Sequence, residues 1–289
     1  MRAALLALLV MFQIAAPVAA AQGGESPTGE QDPLWSRGEA GQVVTTTAHF
    51  DVAALDDPGL AALARRVGDV AEEVLPTAEA RLEASLQDRV RLEVWPGTAA
   101  GGRCPARAAT MPTRRRIVLF ASPATSEPAA LHAFLAHELG HQLTYDRWDT
   151  LGPDRRLSEG LATYAAEPYW LAWRGWSSLD AGVAELQAAG ALPASADEPR
   201  GCLVASQRDV YYSAWASFVG FLVRRYGWER FGEALQLPAV AEDRADYQDA
   251  FGSSLDELVA AWEQTLPAPP GATPTAVATP PAHGAGPPQ

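Results

Sequence analysis

The chain has 289 residues, of which 48% are hydrophobic, and it contains nine tryptophans. This composition allows a sizeable buried core and excludes a globally disordered chain. The formal net charge of -13 argues against nucleic acid or an anionic membrane as a partner, because both attract clustered positive charge.

The first 21 residues have the order of a secretory signal peptide. Arg2 precedes an apolar run, and small residues then surround Pro17 and offer an A-x-A-like cleavage site. The apolar run is short for a membrane-spanning helix and is interrupted by Gln13, so cleavage is favoured over a retained anchor. We therefore expect a secreted or periplasmic protein with no stable membrane anchor in the mature chain. In that compartment Cys104 and Cys202 favour one disulfide, and two unrelated thiols are the alternative.

Composition divides the rest of the chain into a folded body between two ends that resemble linkers. Residues 22–41, rich in Gly, Glu, Pro and Gln, predict a flexible leader, and residues 267–289 predict a disordered tail rich in Pro and Ala. Within the body, residues 42–150 predict a sheet-bearing part, and residues 151–266 predict a mainly helical part. The fold class expected from this order is α+β.

Periodicity places the elements in chain order. Strands are predicted over 43–52, 90–95 and 117–120, and a helix over 58–86 has a possible break at Pro76. The stretch 96–112 has the composition of a loop. A long helix is then predicted over 129–145. The helical segments predicted after it cover residues 157–167, 179–189, 210–226, 229–235, 244–251 and 255–266.

The long helix contains His137-Glu138-Leu139-Gly140-His141, which matches the pattern H-E-x-x-H. Residues four apart on a helix stand on one face, so both imidazoles can reach one metal ion. Glu138 is offset around the helix and can face an open coordination position, where it would act as a general base. Zinc is the expected metal, because it takes nitrogen and oxygen ligands and keeps an open site in enzymes.

A third ligand is predicted at Glu159, which lies 18 residues after His141 and near the start of its own helix. The alternative is a first-turn glutamate favoured by the helix dipole. The longer pattern with a third histidine is excluded, because Arg147 stands at the position that histidine would take. The connecting loop offers other carboxylates, although none has a helical context like that of Glu159. These are Asp146, Asp149 and Asp154.

The histidine pair followed by Ser158-Glu159-Gly160 resembles the gluzincin zinc metallopeptidases, and among them the bacterial peptidase MA-like family. Residues 211–219 and 250–258 are similar to the downstream helix and the terminal segment of that family, so the resemblance covers most of residues 43–265. It implies a zincin-like fold with a peptide or protein substrate. The zinc ligands that it implies are His137, His141 and Glu159, with Glu138 as the catalytic acid and base.

The resemblance also implies a hydrogen-bond donor for the oxyanion, and Tyr211 or Tyr212 is the candidate. The alternative for this pair is two packing aromatics. Some gluzincins carry an Asp four residues after the third ligand that orients a zinc-bound histidine. Thr163 stands there in this chain, which leaves open which group orients the histidine.

The predicted reaction is hydrolysis of a peptide bond by zinc-activated water, with Glu138 as the general base. One alternative is a non-catalytic exported binding protein with a peptidase-like fold that keeps zinc for stability. A second alternative is a metal-free adaptor in which the motif is accidental. An intact Glu138 favours the enzyme, because a structural site needs only ligands and closes all four positions.

Overall fold

The computed structural model describes residues 41–55, 57–97, 106–192, 203, 205–241 and 244–268. The predicted signal peptide, the leader up to residue 40 and the tail after residue 268 lie outside these ranges. Cys104 and Cys202 also lie outside them, so the predicted disulfide stays a prediction.

The N-terminal part forms one five-stranded sheet. The strands are β1 (Gln42–Thr46), β2 (Phe50–Ala54), β3 (Val90–Pro96), β4 (Ala108–Met111) and β5 (Arg116–Ala121). Their order in the sheet is β1-β2-β3-β5-β4. The central pairs β2–β3 and β3–β5 are parallel, whereas the edge strands β1 and β4 pair antiparallel with β2 and β5.

One strand prediction and one loop prediction were wrong in detail. The predicted strand over 43–52 is a hairpin, because the chain turns where the Thr47 amide donates to the Phe50 carbonyl at 2.9 Å. The stretch 96–112 was predicted as a loop, but it contains the edge strand β4. The sequence Ala108-Ala109-Thr110 has neither the alternation nor the β-branched content that indicates a strand.

The remaining described elements are helical. They are α1 (Leu60–Leu82), α2 (Pro123–Ser126), α3 (Pro128–Trp148), α4 (Arg155–Ala165), α5 (Glu167–Arg174), α6 (Leu179–Ala188), α7 (Ala205–Gln236), α8 (Tyr247–Phe251) and α9 (Leu255–Glu263). A single 3₁₀ turn at Pro112–Arg114 connects β4 to β5. The α+β class is therefore confirmed, with a small sheet followed by mostly helical structure. In the described part of the chain, no helix combines the length and the apolar character needed to cross a membrane.

Two helix predictions need correction. Helix α1 continues through Pro76, which lies on its exposed side while Val74, Leu75 and Ala78 are buried around it. A proline inside a helix costs about 3 kcal/mol, and the burial of these neighbours offsets that cost. Helix α5 was not predicted. The separation predicted between the helices over 210–226 and 229–235 is confirmed, because Gly227 inside α7 has non-helical angles (φ 79°, ψ 167°) and two helical stretches meet there at a kink.

The main core lies between one face of the sheet and the helices. Val90, Leu92 and Val94 of β3 and the neighbouring residues of β5 are almost fully buried there with apolar residues of α1 and α3. Helix α3 is central, since every residue from Ala130 to Thr144 except His132 is buried. The histidines and the glutamate of its motif therefore lie inside the protein and not on its surface.

Candidate metal centre

Helix α3 carries His137 and His141 one turn apart on the same side. Their rings are perpendicular, with centroids 4.8 Å apart. Both side chains are buried, and each residue exposes less than a tenth of its surface. Two imidazoles held this close, with nitrogens pointing to one place, can bind a common cation.

Helix α4 brings Glu159 against this pair, and a buried carboxylate fixes where that helix begins. Asp154 caps α4 by accepting the backbone N–H of Arg156 at 2.8 Å. Its second oxygen accepts the Tyr247 hydroxyl at 2.9 Å and the Ala245 amide at 3.2 Å. Asp154 is therefore a structural residue and not a metal ligand.

The two other candidate carboxylates do not lie in a connecting loop as predicted, because Asp146 is in the last turn of α3 and Asp149 is its C-cap. Asp146 forms an ion pair with Arg115 at 2.6 Å, and Asp149 ends α3 in a left-handed conformation (φ 55°). Neither residue belongs to the group that surrounds the histidines.

Small residues allow the three helices at the site to pack closely. A Cβ added at Gly140 of α3 would lie 2.9 Å from the Cα of Ala162 in α4. A Cβ added at Gly160 of α4 would lie 2.7 Å from the backbone oxygen of Trp215 in α7. Each glycine is next to a ligand in sequence, so close packing brings the ligands of α3 and α4 together.

Glu159 reaches both histidines. Its Oε2 lies 3.2 Å from Nε2 of His137 and 3.4 Å from Nε2 of His141. The three candidate ligand atoms all lie within 4.8 Å of one another. The structure thus brings the three predicted ligands into one cluster that could hold a metal ion. Two imidazole nitrogens and one carboxylate oxygen are a donor set that suits zinc.

The charges of these groups depend on one another. Burial works against the charged form of Glu159, but hydrogen bonds to His137 and His141 outweigh it and hold the pKa of Glu159 well below its usual range. Burial likewise works against the protonated form of His141, but the hydrogen bond to Glu159 prevails and raises the pKa of His141. The carboxylate is therefore in the ionised form that binds a cation.

The sequence left open which group orients a candidate histidine ligand, and the structure places Thr163 beside His137. Its buried hydroxyl lies 3.0 Å from Nδ1 of His137, on the side of the ring away from Glu159. If Nδ1 carries the proton and donates to this hydroxyl, the Nε2 lone pair is directed at the cluster. For His141, Nδ1 is buried without a hydrogen-bond partner in the described part of the structure.

Replacing Thr163 with Val is expected to weaken zinc binding by roughly 10- to 100-fold, because the ring of His137 loses the group that orients it. Thr163→Ser keeps the hydroxyl and should bind zinc nearly as well as the original protein. Zinc titration against a competing chelator measures both variants. Equal affinities for the Val and Ser variants would contradict a role for the hydroxyl.

Glu138 is adjacent to His137 in sequence but does not belong to the metal-binding cluster. It is 7% exposed, and its Oε2 accepts a hydrogen bond from Thr110 Oγ1 at 2.5 Å. The sequence did not identify Thr110, because its strand was taken for a loop. Its partner is 28 residues away in the chain, so local spacing gives no signal for it.

The two candidate tyrosines have different surroundings. The ring of Tyr212 stacks on the imidazole of His137, with centroids 5.4 Å apart and planes 8° apart. Both tyrosines also lie against the ring of Trp215, with centroid distances of 5.4 Å for Tyr211 and 5.8 Å for Tyr212. Tyr212 thus contacts a candidate ligand. Burial, followed by the charge of Glu159, raises the pKa of the Tyr212 hydroxyl far above its usual range, so it stays a neutral donor.

Comparison with known proteins adds no family to this description. No model of a known protein family matches the chain, and no curated protein matches it either. The class of protein must be inferred from the site itself.

Proposed function

We propose that this chain is an exported zinc-dependent metallopeptidase of the gluzincin type. The observation that carries the proposal is the convergence of His137, His141 and Glu159, whose ligand atoms lie within 4.8 Å of one another. Glu138 stands beside this cluster as a buried carboxylate that is not one of the ligands. Export is proposed from the signal-peptide pattern of the first 21 residues.

His137, His141 and Glu159 would hold the zinc ion, which when bound supplies a Lewis acid that polarises the scissile carbonyl. Three protein ligands are the number that catalytic zinc sites use. Glu138 would accept a proton from the attacking water at a carboxylate oxygen and later give it to the leaving amine nitrogen. The low exposure of Glu138 keeps bulk water from competing for that proton.

Tyr212 would donate a hydrogen bond to the oxyanion of the tetrahedral state. Its stacking on His137 fixes the ring next to the cluster, and its raised pKa keeps the proton on the hydroxyl. A fixed neutral donor needs no reorganisation when negative charge develops on the substrate oxygen. The ring contact of Tyr212 with His137, a candidate ligand, supports Tyr212 over Tyr211 for this role.

The competing proposal is an exported binding protein that keeps zinc for stability. A structural zinc site closes its coordination with four protein ligands, whereas the described residues offer three at this cluster. A buried carboxylate next to the cluster has no purpose in a structural site, and burying it is costly. Both features favour the hydrolase.

Removal and return of zinc test the proposal. We expect the purified protein to contain about one zinc ion per chain, as in catalytic sites with three protein ligands. It should cleave members of a diverse peptide mixture, as detected by mass spectrometry. A chelator should abolish the cleavage, and added zinc should restore it. Zinc at this stoichiometry without chelator-sensitive cleavage of any peptide would instead support the binding protein. Protein purified without chelators and found to be free of zinc would contradict both proposals.

A further inference from the structure

Thr110 lies where the edge of the sheet meets the motif helix. Its Oγ1 is 2.5 Å from Oε2 of Glu138 and 3.1 Å from the backbone carbonyl oxygen of the same residue. No other described residue has both contacts with Glu138 among the hydrogen bonds of the structure. One hydroxyl group therefore faces the proposed base and a second acceptor at the same time.

The strand holds this hydroxyl in place. Thr110 is paired with Ile117 of β5, and its side chain is on the same face of the sheet as Ile117, which is buried in the main core. Threonine is branched at Cβ and has few accessible rotamers. Thr110 thus presents its hydroxyl to α3 from a fixed backbone, as a residue in a loop would not.

A hydroxyl has one proton to donate and two lone pairs to accept with. When Glu138 is ionised, Thr110 donates its proton to Oε2. The carboxylate and the hydroxyl group are thus partners of each other. This matters because a buried polar group without a partner is costly.

We propose that Thr110 is a positioning residue that holds the Glu138 carboxylate in a fixed orientation through the hydrogen bond between its Oγ1 and Oε2 of Glu138. This inference rests on the proposed function. In the first transfer an O–H bond of water breaks and an O–H bond forms on Glu138. In the second transfer that bond breaks, an N–H bond forms on the leaving amine, and the carboxylate is restored with its Thr110 hydrogen bond.

Substitution of Thr110 separates positioning from simple packing. Thr110→Val keeps the shape and removes the hydroxyl, and we expect kcat to fall roughly 10- to 100-fold, the worth of a hydrogen bond to a charged group. KM and zinc content should be unchanged, because the ligands and the substrate surface are intact. Thr110→Ser should retain most of the activity. A matched control is Thr144→Val, which removes from α3 a buried threonine hydroxyl that donates to the Gly140 backbone oxygen at 2.7 Å.

The kinetic result is decisive in either direction. A lower kcat for Thr110→Val alone, with Ser and the Thr144 control near the original protein, supports the proposal. Unchanged kcat for Thr110→Val would overturn it. So would equal losses in the Val and Ser variants, because packing and not the hydroxyl would then be responsible.

A spectroscopic measurement decides the question even if the protein cleaves no peptide. The infrared difference between the zinc-loaded protein and its Glu138→Gln variant contains the carboxylate stretch of Glu138. We expect Thr110→Val to shift this band and Thr110→Ser and Thr144→Val to leave it in place. An unshifted band in Thr110→Val would refute the contact. Absence of peptide cleavage by the original protein would count against the peptidase proposal and leave this reading of the contact standing.

Discussion

Glu138→Gln is expected to lower kcat/KM for peptide hydrolysis by roughly 10²- to 10⁴-fold, the usual worth of a general base. Glutamine has nearly the same shape as glutamate, but its amide cannot take a proton from water. Glu138 does not belong to the cluster of His137, His141 and Glu159, so zinc should stay bound. Steady-state kinetics and zinc analysis of the same sample measure the two quantities.

Glu185→Gln is a suitable control, because Glu185 is exposed on α6 and the change removes the same charge. It should match the original protein in activity and zinc content. Hydrolysis that persists in Glu138→Gln would exclude Glu138 as the base. Loss of zinc from Glu138→Gln would show that this carboxylate belongs to the metal site itself.

Gly160→Val is expected to lower the free energy of unfolding by about 3 kcal/mol and to weaken zinc binding. A Cβ at this position would lie 2.7 Å from the backbone oxygen of Trp215 and 2.8 Å from its carbonyl carbon. Backbone atoms of α7 cannot rotate aside as a flexible side chain can. The helices α4 and α7 must separate, and Glu159, the neighbour of Gly160, moves with α4. Chemical denaturation and zinc titration measure the two effects.

Gly160→Ala tests whether a side chain at this position raises or lowers the free energy of unfolding. Alanine favours a helix over glycine by about 1 kcal/mol, so it would stabilise α4 if the site were open. We expect it to destabilise the protein, because the contact with Trp215 outweighs the helix preference. Stabilisation by Gly160→Ala would show that α4 and α7 are not packed in this way.

The grouping of the three candidate metal ligands could be predicted, because the sequence pattern that indicates it is local. Two histidines four residues apart on a helix share a face whatever surrounds them, and Glu159 follows on the next helix of the chain. The contacts of Thr110 and Thr163 could not be predicted from local spacing. Thr163 was named only as a departure from a family pattern, and its contact with His137 depends on how α3 and α4 pack. The contact of Thr110 with Glu138 depends on β4, a strand that is too short and too rich in alanine to be predicted.

The choice between Tyr211 and Tyr212 also depends on packing that the sequence does not indicate. The part of α7 from Tyr212 to Leu222 is buried on every side, so its sequence has no polar face that would set the rotation of the helix. Only the packing of α7 against α4 and α3 places Tyr212 on His137. The α+β class could be predicted because it needs only the order of strands and helices, whereas the hairpin at Thr47 and the passage of α1 through Pro76 depend on tertiary contacts.

The buried carboxylate of Asp154 links the metal centre to a distant part of the chain. It caps the helix of Glu159 and binds Tyr247 and the amide of Ala245, more than 80 residues later in the chain. Zinc that binds only the folded protein stabilises it by about 2.7 kcal/mol at a free concentration 100 times the dissociation constant. Because Asp154 fixes the start of α4, we expect part of this stabilisation to extend to the segment that contains Ala245 and Tyr247. By thermodynamic reciprocity, anything that loosens this segment also lowers the affinity for zinc.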